Sequence, residues 1–269
     1  MEELIVVRGG GDLATGTIHR LWSAGFPVLV LETEHPAAIR RQVSLCEAVY
    51  EGETCVEGMT GVLIQSWEEA EKILSSGKVP VLADERAECV QRCRPGVVVD
   101  AILAKKNLGT SRSMAPLTIA LGPGFTAGKE VDAVIETMRG HNLGRIIRQG
   151  EALANTGIPG LIGGYGAERV LHAQAQGVFC NVRKIGDYVQ KGEVIASVET
   201  GRESVPVKAS LSGIIRGLLR DGYPVTEGFK IADIDPRRGE MANCFTISDK
   251  ARCIAGSVLE LICAAQRKW

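Results

Sequence analysis

An apolar run, Leu4-Ile5-Val6-Val7, leads through Arg8 into Gly9-Gly10-Gly11 and then into a helical pattern carried by Leu13, Ile18, Leu21 and Trp22. The pattern stops at Gly25, and Pro27-Val28-Leu29-Val30-Leu31 follows as a second apolar run. Strand, glycine turn, helix and strand in that order predict a βαβ unit. Gly9-x-Gly11-x-x-Ala14 has the G-x-G-x-x-G/A form: the first glycine permits the turn, the second lets a phosphate approach the backbone, and a small third residue lets helix and strand pack closely. The helix-start N–H groups around Asp12, Leu13 and Ala14 would then face an anion. Glu32, ending the second run, lies where a carboxylate accepts ribose hydroxyls. A tight turn with no ligand explains the same glycines, and Asp12 would repel a pyrophosphate unless a cation such as Arg8 compensates.

Further strand-like runs stand at Val62-Leu63-Ile64, Val79-Pro80-Val81-Leu82-Ala83, residues 97–103 and Leu117-Thr118-Ile119-Ala120-Leu121, with helical patterns around 68–74 and 86–93. This alternation predicts a parallel sheet covered on both faces. From Gly157 the texture changes to short β-rich stretches. Residues 186–196 and 222–232 both read G-x-x-V-x-x-G-x-x-I-A, an offset of 36 residues (186 to 222), so two similar hairpin units are expected to form one small barrel. Ser248 reads as an N-cap, and Ile254, Val258, Leu261 and Ile262 mark the buried face of a closing helix.

Composition narrows the function classes. The formal net charge is −1 and aromatics make up 4%, which gives no pull toward nucleic acid or an anionic membrane and few platforms for stacking bases. No apolar run approaches the roughly 18 residues that span a bilayer, and the opening Met-Glu-Glu-Leu-Ile-Val-Val-Arg has no basic, signal-like character; a cytoplasmic location is expected. The eight cysteines are spread through the chain and read as free thiols. Hydrolase, zincin and P-loop motifs find no match.

Three other clusters carry polar chemistry. Asp100 interrupts an apolar run and precedes Lys105-Lys106-Asn107, where lysines would hold a phosphorylated ligand or merely solvate a loop. Gly122-Pro123-Gly124-Phe125-Thr126-Ala127-Gly128 is a second turn at a strand end. Arg139-Gly140-His141-Asn142-Leu143-Gly144-Arg145 gathers two guanidinium groups, an imidazole and an amide, suited to anion or carbonyl recognition or to a charged surface loop. Cys89 and Cys93 have helical spacing without a second pair for zinc. Cys244 lies near the polar segment 233–238, where an exposed thiol would be placed to carry sulfur or selenium.

The run Arg8-Gly9-Gly10-Gly11-Asp12-Leu13-Ala14-Thr15-Gly16 resembles the opening of the YqeB family of selenium-dependent molybdenum hydroxylase system proteins. So do Ala38-Ile39-Arg40-Arg41, Glu47-Ala48-Val49-Tyr50, Asp100-Ala101-Ile102-Leu103-Ala104-Lys105, Leu121-Gly122-Pro123-Gly124-Phe125, Arg139 to Arg145 and Asp233-Ile234-Asp235-Pro236-Arg237. The resemblance implies an accessory role in maturing molybdenum hydroxylases of the xanthine or purine dehydrogenase type. The N-terminal half is similar, more distantly, to the Rossmann part of the XdhC family, which handles sulfurated molybdenum cofactor. No catalytic residue carries over. The repeated region is similar to biotinyl and lipoyl domains, whose halves interlock as a barrel-sandwich hybrid. A gapless match of Val198 to Gly213 puts Arg202 at the lysine those carriers modify, and Lys208 in the following strand. Arginine cannot form the amide, so no biotin or lipoate attachment is expected.

The expected architecture is therefore α/β: a Rossmann-like parallel-sheet domain over 1–156, a barrel-sandwich hybrid over 157–240, and a C-terminal helix within 241–269 packed on the body. The expected function is binding of molybdenum cofactor or an NAD-type nucleotide, a small phosphate-bearing ligand in either case, with a molybdenum hydroxylase as partner and neither nucleic acid nor membrane. The candidate pocket comprises Gly9, Gly10, Gly11, Asp12, Leu13, Ala14, Glu32, Lys105, Arg139, His141 and Arg145, with no metal ligands. An NAD-dependent oxidoreductase acting on a selenium or sulfur intermediate, with His141 as proton donor, and a non-catalytic scaffold for hydroxylase assembly are the alternatives.

Overall fold

A computed structural model of the chain describes residues 4–157 and 160–266. They form two compact units. The first comprises residues 4–36, 44–156 and 247–266; the second comprises Ala37–Val43 and the described part of 157–246.

In the first unit the strands are β1 (Ile5–Arg8), β2 (Val28–Glu32), β3 (Glu53–Val56), β4 (Met59–Ile64), β5 (Val79–Ala83), β6 (Val97–Asp100), β7 (Leu117–Leu121), β8 (Thr126–Ala127), β9 (Ala133–Ile135), β10 (Ile146–Ile147) and β11 (Gly150–Glu151). Its helices are α1 (Asp12–Ser23), α2 (Ala48–Glu51), α3 (Ala70–Ser75), α4 (Val90–Cys93) and α5 (Asp249–Gln266). Nine strands make one sheet in the order β10, β9, β7, β6, β1, β2, β5, β4, β3. Neighbours are parallel throughout except at the two edges, where β3 and β10 run antiparallel to β4 and β9. Ile5, Val6, Val7, Leu29 and Val30 are wholly buried, because strands covered on both faces have no polar side. β8 and β11 pair separately.

Chain order runs from β1 outward to β2 on one side and resumes at β6 on the other, so the sheet reverses direction between β1 and β6. Crevices for ligands open at such a reversal, beyond the carboxyl ends of the strands. α1 packs against α5 at close range: a Cβ on Gly16 would lie 2.6 Å from that of Ala251. Ile254, Val258, Leu261 and Ile262 are all buried, and Ser248 Oγ accepts the Ala251 N–H at 3.2 Å as an N-cap.

Two elements are shorter than the apolar pattern predicts. The helix expected over 86–93 is confined to Val90–Cys93, because the Asp84 carboxylate accepts the N–H groups of Glu88 and Cys89 and Ala87 adopts a left-handed φ of 56°. The strand expected over 97–103 stops at Asp100, where the Asp100 carboxylate accepts the Ile102 N–H at 3.2 Å and Leu103 turns left-handed.

The second unit has two four-stranded antiparallel sheets. One orders β12 (Val170–His172), β19 (Lys230–Asp235), β17 (Gly213–Leu218) and β14 (Tyr188–Val189); the other orders β16 (Ser204–Lys208), β15 (Val194–Glu199), β13 (Gly177–Asn181) and β18 (Tyr223–Val225). Phe179, Val189, Ile195, Val198, Ile214, Ile215, Ile231 and Ile234 fill the space between them. The 36-residue repeat extends beyond its sequence motif. A Cβ on Gly177 would lie 2.3 Å from the Glu199 carbonyl oxygen, and one on Gly213 would lie 2.4 Å from that of Asp235; both members of each pair are related by the same offset. Ala37–Val43 joins this unit: the Leu218 N–H donates to the Ile39 carbonyl at 2.8 Å, and Arg41 Nε donates to the Leu218 carbonyl at 2.9 Å.

Candidate functional site

The glycine turn sits at the sheet reversal, and each glycine has a separate task. Gly9 has φ +98°, and a Cβ there would stand 2.9 Å from the Ala101 carbonyl oxygen, so only glycine lets β1 and the end of β6 approach. Gly10 is clamped. Its N–H donates to Glu32 Oε1 at 2.6 Å, and its carbonyl accepts the Cys46 N–H at 2.9 Å and the Thr15 hydroxyl at 3.1 Å. Gly11 is open, with no atom within 4 Å of a Cβ built on it. It caps α1 with φ −65° and no side-chain cap, so Asp12, Leu13 and Ala14 begin a helix whose N–H groups precede its first internal bond, from Thr15 N–H to Gly11.

Glu32 closes the turn from the next strand. Its second oxygen accepts the Thr33 N–H at 2.9 Å. Burial raises its pKa, against the lowering effect of the two backbone hydrogen bonds. Arg8, considered above as a cation compensating Asp12, is instead inside the protein, 1% exposed. Its Nη1 donates to Thr110 Oγ1 at 2.5 Å, whose hydroxyl donates to Asp100 Oδ2 at 2.5 Å; its Nη2 donates to the carbonyls of Glu85 and Leu108. Direct Arg8–Asp100 approach is longer, 3.8 Å. Burial raises the Asp100 pKa, while Thr110, Arg8 and the Ile102 N–H pull it down.

Lys105 lies on the exposed loop leaving β6, with φ +62°. A Cβ on Gly124 would stand 2.6 Å from Lys106 N, so the glycine turn after β7 packs on this loop. Arg139 forks onto Asp249 at the start of α5, with 3.0 and 3.1 Å bonds. His141 and Arg145 are exposed, and among the described residues no side-chain hydrogen bond or ion pair joins them to the glycine turn.

Lys250 is the residue that the sequence reading passed over. It stands half-buried in the first turn of α5, in the field of Arg139, Asp12, Glu136 and Asp249. Burial and then Arg139 lower its pKa, opposed by the three carboxylates. The signal was present: a lysine one residue into a helix opposes the helix dipole, and such a position invites a reason. Lys250→Met is expected to weaken binding of inorganic phosphate several-fold, and wild-type binding is expected to fall as pH rises through the depressed lysine pKa. Phosphate titrations of both proteins across that range check this; parallel pH profiles would remove Lys250 from the site.

Cys244 is 1% exposed, with its thiol directed at the Ile215 carbonyl, so the exposed sulfur carrier considered above is corrected to a core residue. Burial raises its pKa, with Arg216 and Arg40 opposing. In the barrel, Arg202 occupies the turn joining β15 and β16, where Thr200 Oγ1 accepts the N–H groups of Arg202 and Glu203. Lys208 ends β16 opposite Val194.

The fold and this site define an α/β protein with a parallel-sheet unit and a biotinyl/lipoyl-type domain. Residues 172–234 match the family described as "Biotin-requiring enzyme". The chain is similar to the protein YqeB from Escherichia coli (strain K12), with 51% identity over 260 residues, 97% of this chain and 47% of that protein. It thus spans about half the length of the curated relative it matches. Among solved structures, an aspartoacylase family protein from Mesorhizobium loti aligns at 10% identity and TM-score 0.29, covering 86% of this chain and 84% of that one. The apo Ectoine utilization protein EutE (DoeB) from Ruegeria pomeroyi aligns at 10% identity and TM-score 0.29, covering 86% and 85%. Superpositions that loose carry no argument about chemistry. No helix among the described residues is long and apolar enough to cross a membrane.

Proposed function

We propose that the chain is an accessory protein in the maturation of selenium-dependent molybdenum hydroxylases, and that its parallel-sheet unit is a Rossmann-like binder of a phosphate-bearing ligand, molybdenum cofactor before a dinucleotide. The observation that carries this reading is the open face at Gly11: an uncapped helix start at the sheet reversal, with Lys250 held nearby. Backbone N–H groups there suit a terminal phosphate. Both oxygens of Glu32 already accept backbone hydrogens, which weighs toward a ligand held by its phosphate over one whose ribose needs that carboxylate. The pathway in this reading comes from the family resemblance of the sequence motifs, and the 51% identity to YqeB over 97% of this chain agrees with that resemblance. The barrel, with Arg202 at its hairpin turn, serves in this reading to dock the client hydroxylase in the cytoplasm.

Native mass spectrometry of protein purified anaerobically from a host making such a hydroxylase tests this: a pterin-like mass released on denaturation is expected. A dinucleotide mass would put the oxidoreductase first. Gly11 supplies the local control. Its φ admits any side chain, so Gly11→Val keeps the fold yet blocks the approach, and ligand retention should drop at least about tenfold with the loss of one charge-assisted bond. Unchanged retention would overturn the placement.

A further inference from the structure

The connections on either side of β6 are unusually thin. Between β5 and β6 the chain forms only the four-residue α4, and between β6 and β7 only the 3-10 turn Arg112–Met114. Crossovers between parallel strands ordinarily carry a helix that covers its share of the sheet. Here a cavity of about 940 Å³ lies between the two connections, within the range of small-molecule sites, and none of the glycine-turn residues lines it.

Its ends are identifiable from the chain. Arg8 binds both the Glu85 carbonyl and Thr110 Oγ1, so the next residues, Arg86 and Ser111, share one end. The Leu117 N–H donates to the Gly96 carbonyl at 3.3 Å, which brings Arg94 and Pro116 to the other. Ala87, Val90 and Met114 supply apolar wall between. Neither Arg86 nor Arg94 has a side-chain hydrogen bond or ion pair among the described residues. Ala87 and Arg94 are also two of the five non-glycine residues with left-handed backbone among the described residues, a strain that concentrates at binding sites.

We propose that this cavity binds a linear dianion, an α,ω-dicarboxylate with an apolar spacer, one carboxylate on Arg94 and the other on Arg86. A guanidinium fork matches a carboxylate, and the ends stand about a strand length apart, roughly 13 Å for the four residues of β6 at about 3.3 Å each. Glu88 also lines the cavity near Arg86, so the Arg94 end is the stronger.

Calorimetric titration of the full chain with decanedioate, decanoate and decane-1,10-diol tests the proposal. Decanedioate is expected to bind at one site about tenfold more tightly than decanoate, with no heat from the diol. Arg94→Asn, which tolerates the left-handed backbone, should bring decanedioate level with decanoate, and Arg86→Ala should weaken it less. Both side chains are exposed, and an unchanged thermal midpoint and circular dichroism spectrum show that the fold is kept. Equal affinities for the dianion and monoanion in the wild type, undiminished decanedioate binding in Arg94→Asn, or no binding in the millimolar range would each overturn it.

Discussion

Replacing Arg8 with methionine is expected to lower the unfolding free energy by about 3–5 kcal/mol at neutral pH, the cost of stranding a buried charge. The stranded group is Asp100, 2% exposed, which would keep the Thr110 hydroxyl but lose the Arg8 cation that holds its pKa down. The effect carries a pH signature. Burial already raises the Asp100 pKa, so the folded chain holds this proton where the unfolded chain has released it, and stability falls as pH rises through that window. Without Arg8 the window extends upward, so the deficit should be smaller at about pH 4.5 than at about pH 7. Urea unfolding followed by tryptophan fluorescence measures both, since Trp22 and Trp67 lie in this unit. Arg8→Met combined with Asp100→Leu should recover most of the loss; an equal deficit in the double variant would mean that packing of the arginine, not charge, holds the strand ends.

Asp233→Leu is expected to have a similar cost in the barrel, about 3–5 kcal/mol. Arg169 is 5% exposed and its Nη1 lies 2.6 Å from Asp233 Oδ1; among the described residues the Tyr165 and Gly160 carbonyls are the further partners of its guanidinium. The Asp233 carboxyl is raised by burial and held down by Arg169, then by Lys230, Arg216 and Arg40, so its removal leaves four cations short of one counter-charge. Hydrogen exchange of the β17 and β19 amides reads this unit separately from the sheet. Protection equal to wild type would show that the remaining Asp235 carboxylate suffices.

The parts of this structure that were legible in the sequence are those governed by local rules. Apolar runs became strands because full burial needs continuous hydrophobicity, Ser248 became an N-cap, and the repeat at Gly186 and Gly222 marked the two halves of the barrel. What stayed hidden depended on partners far along the chain. Arg8 after an apolar run reads as a surface cation at a strand end; only Thr110 and the Glu85 carbonyl, brought in by folding, make it an interior residue. Lys250 looks like an ordinary helix lysine until α5 is laid beside α1 and Asp12. Gly177 and Gly213 belong to the same repeat as the legible motif, but the carbonyls that demand glycine come from paired strands. The candidate turn was visible as a pattern, whereas the separate tasks of Gly9, Gly10 and Gly11 were not.

The excursion of Ala37–Val43 into the barrel sets an order of events at the ribosome. Ile39 is synthesised before most of the sheet, yet its carbonyl waits for Leu218. Gly16 likewise waits for Ala251, made after the whole barrel. Neither unit can complete itself as the nascent chain emerges, so both finish late, with long loops to close and exposed strands to protect in the interval. The path of the backbone thus places the contacts that finish each unit at its longest sequence separations.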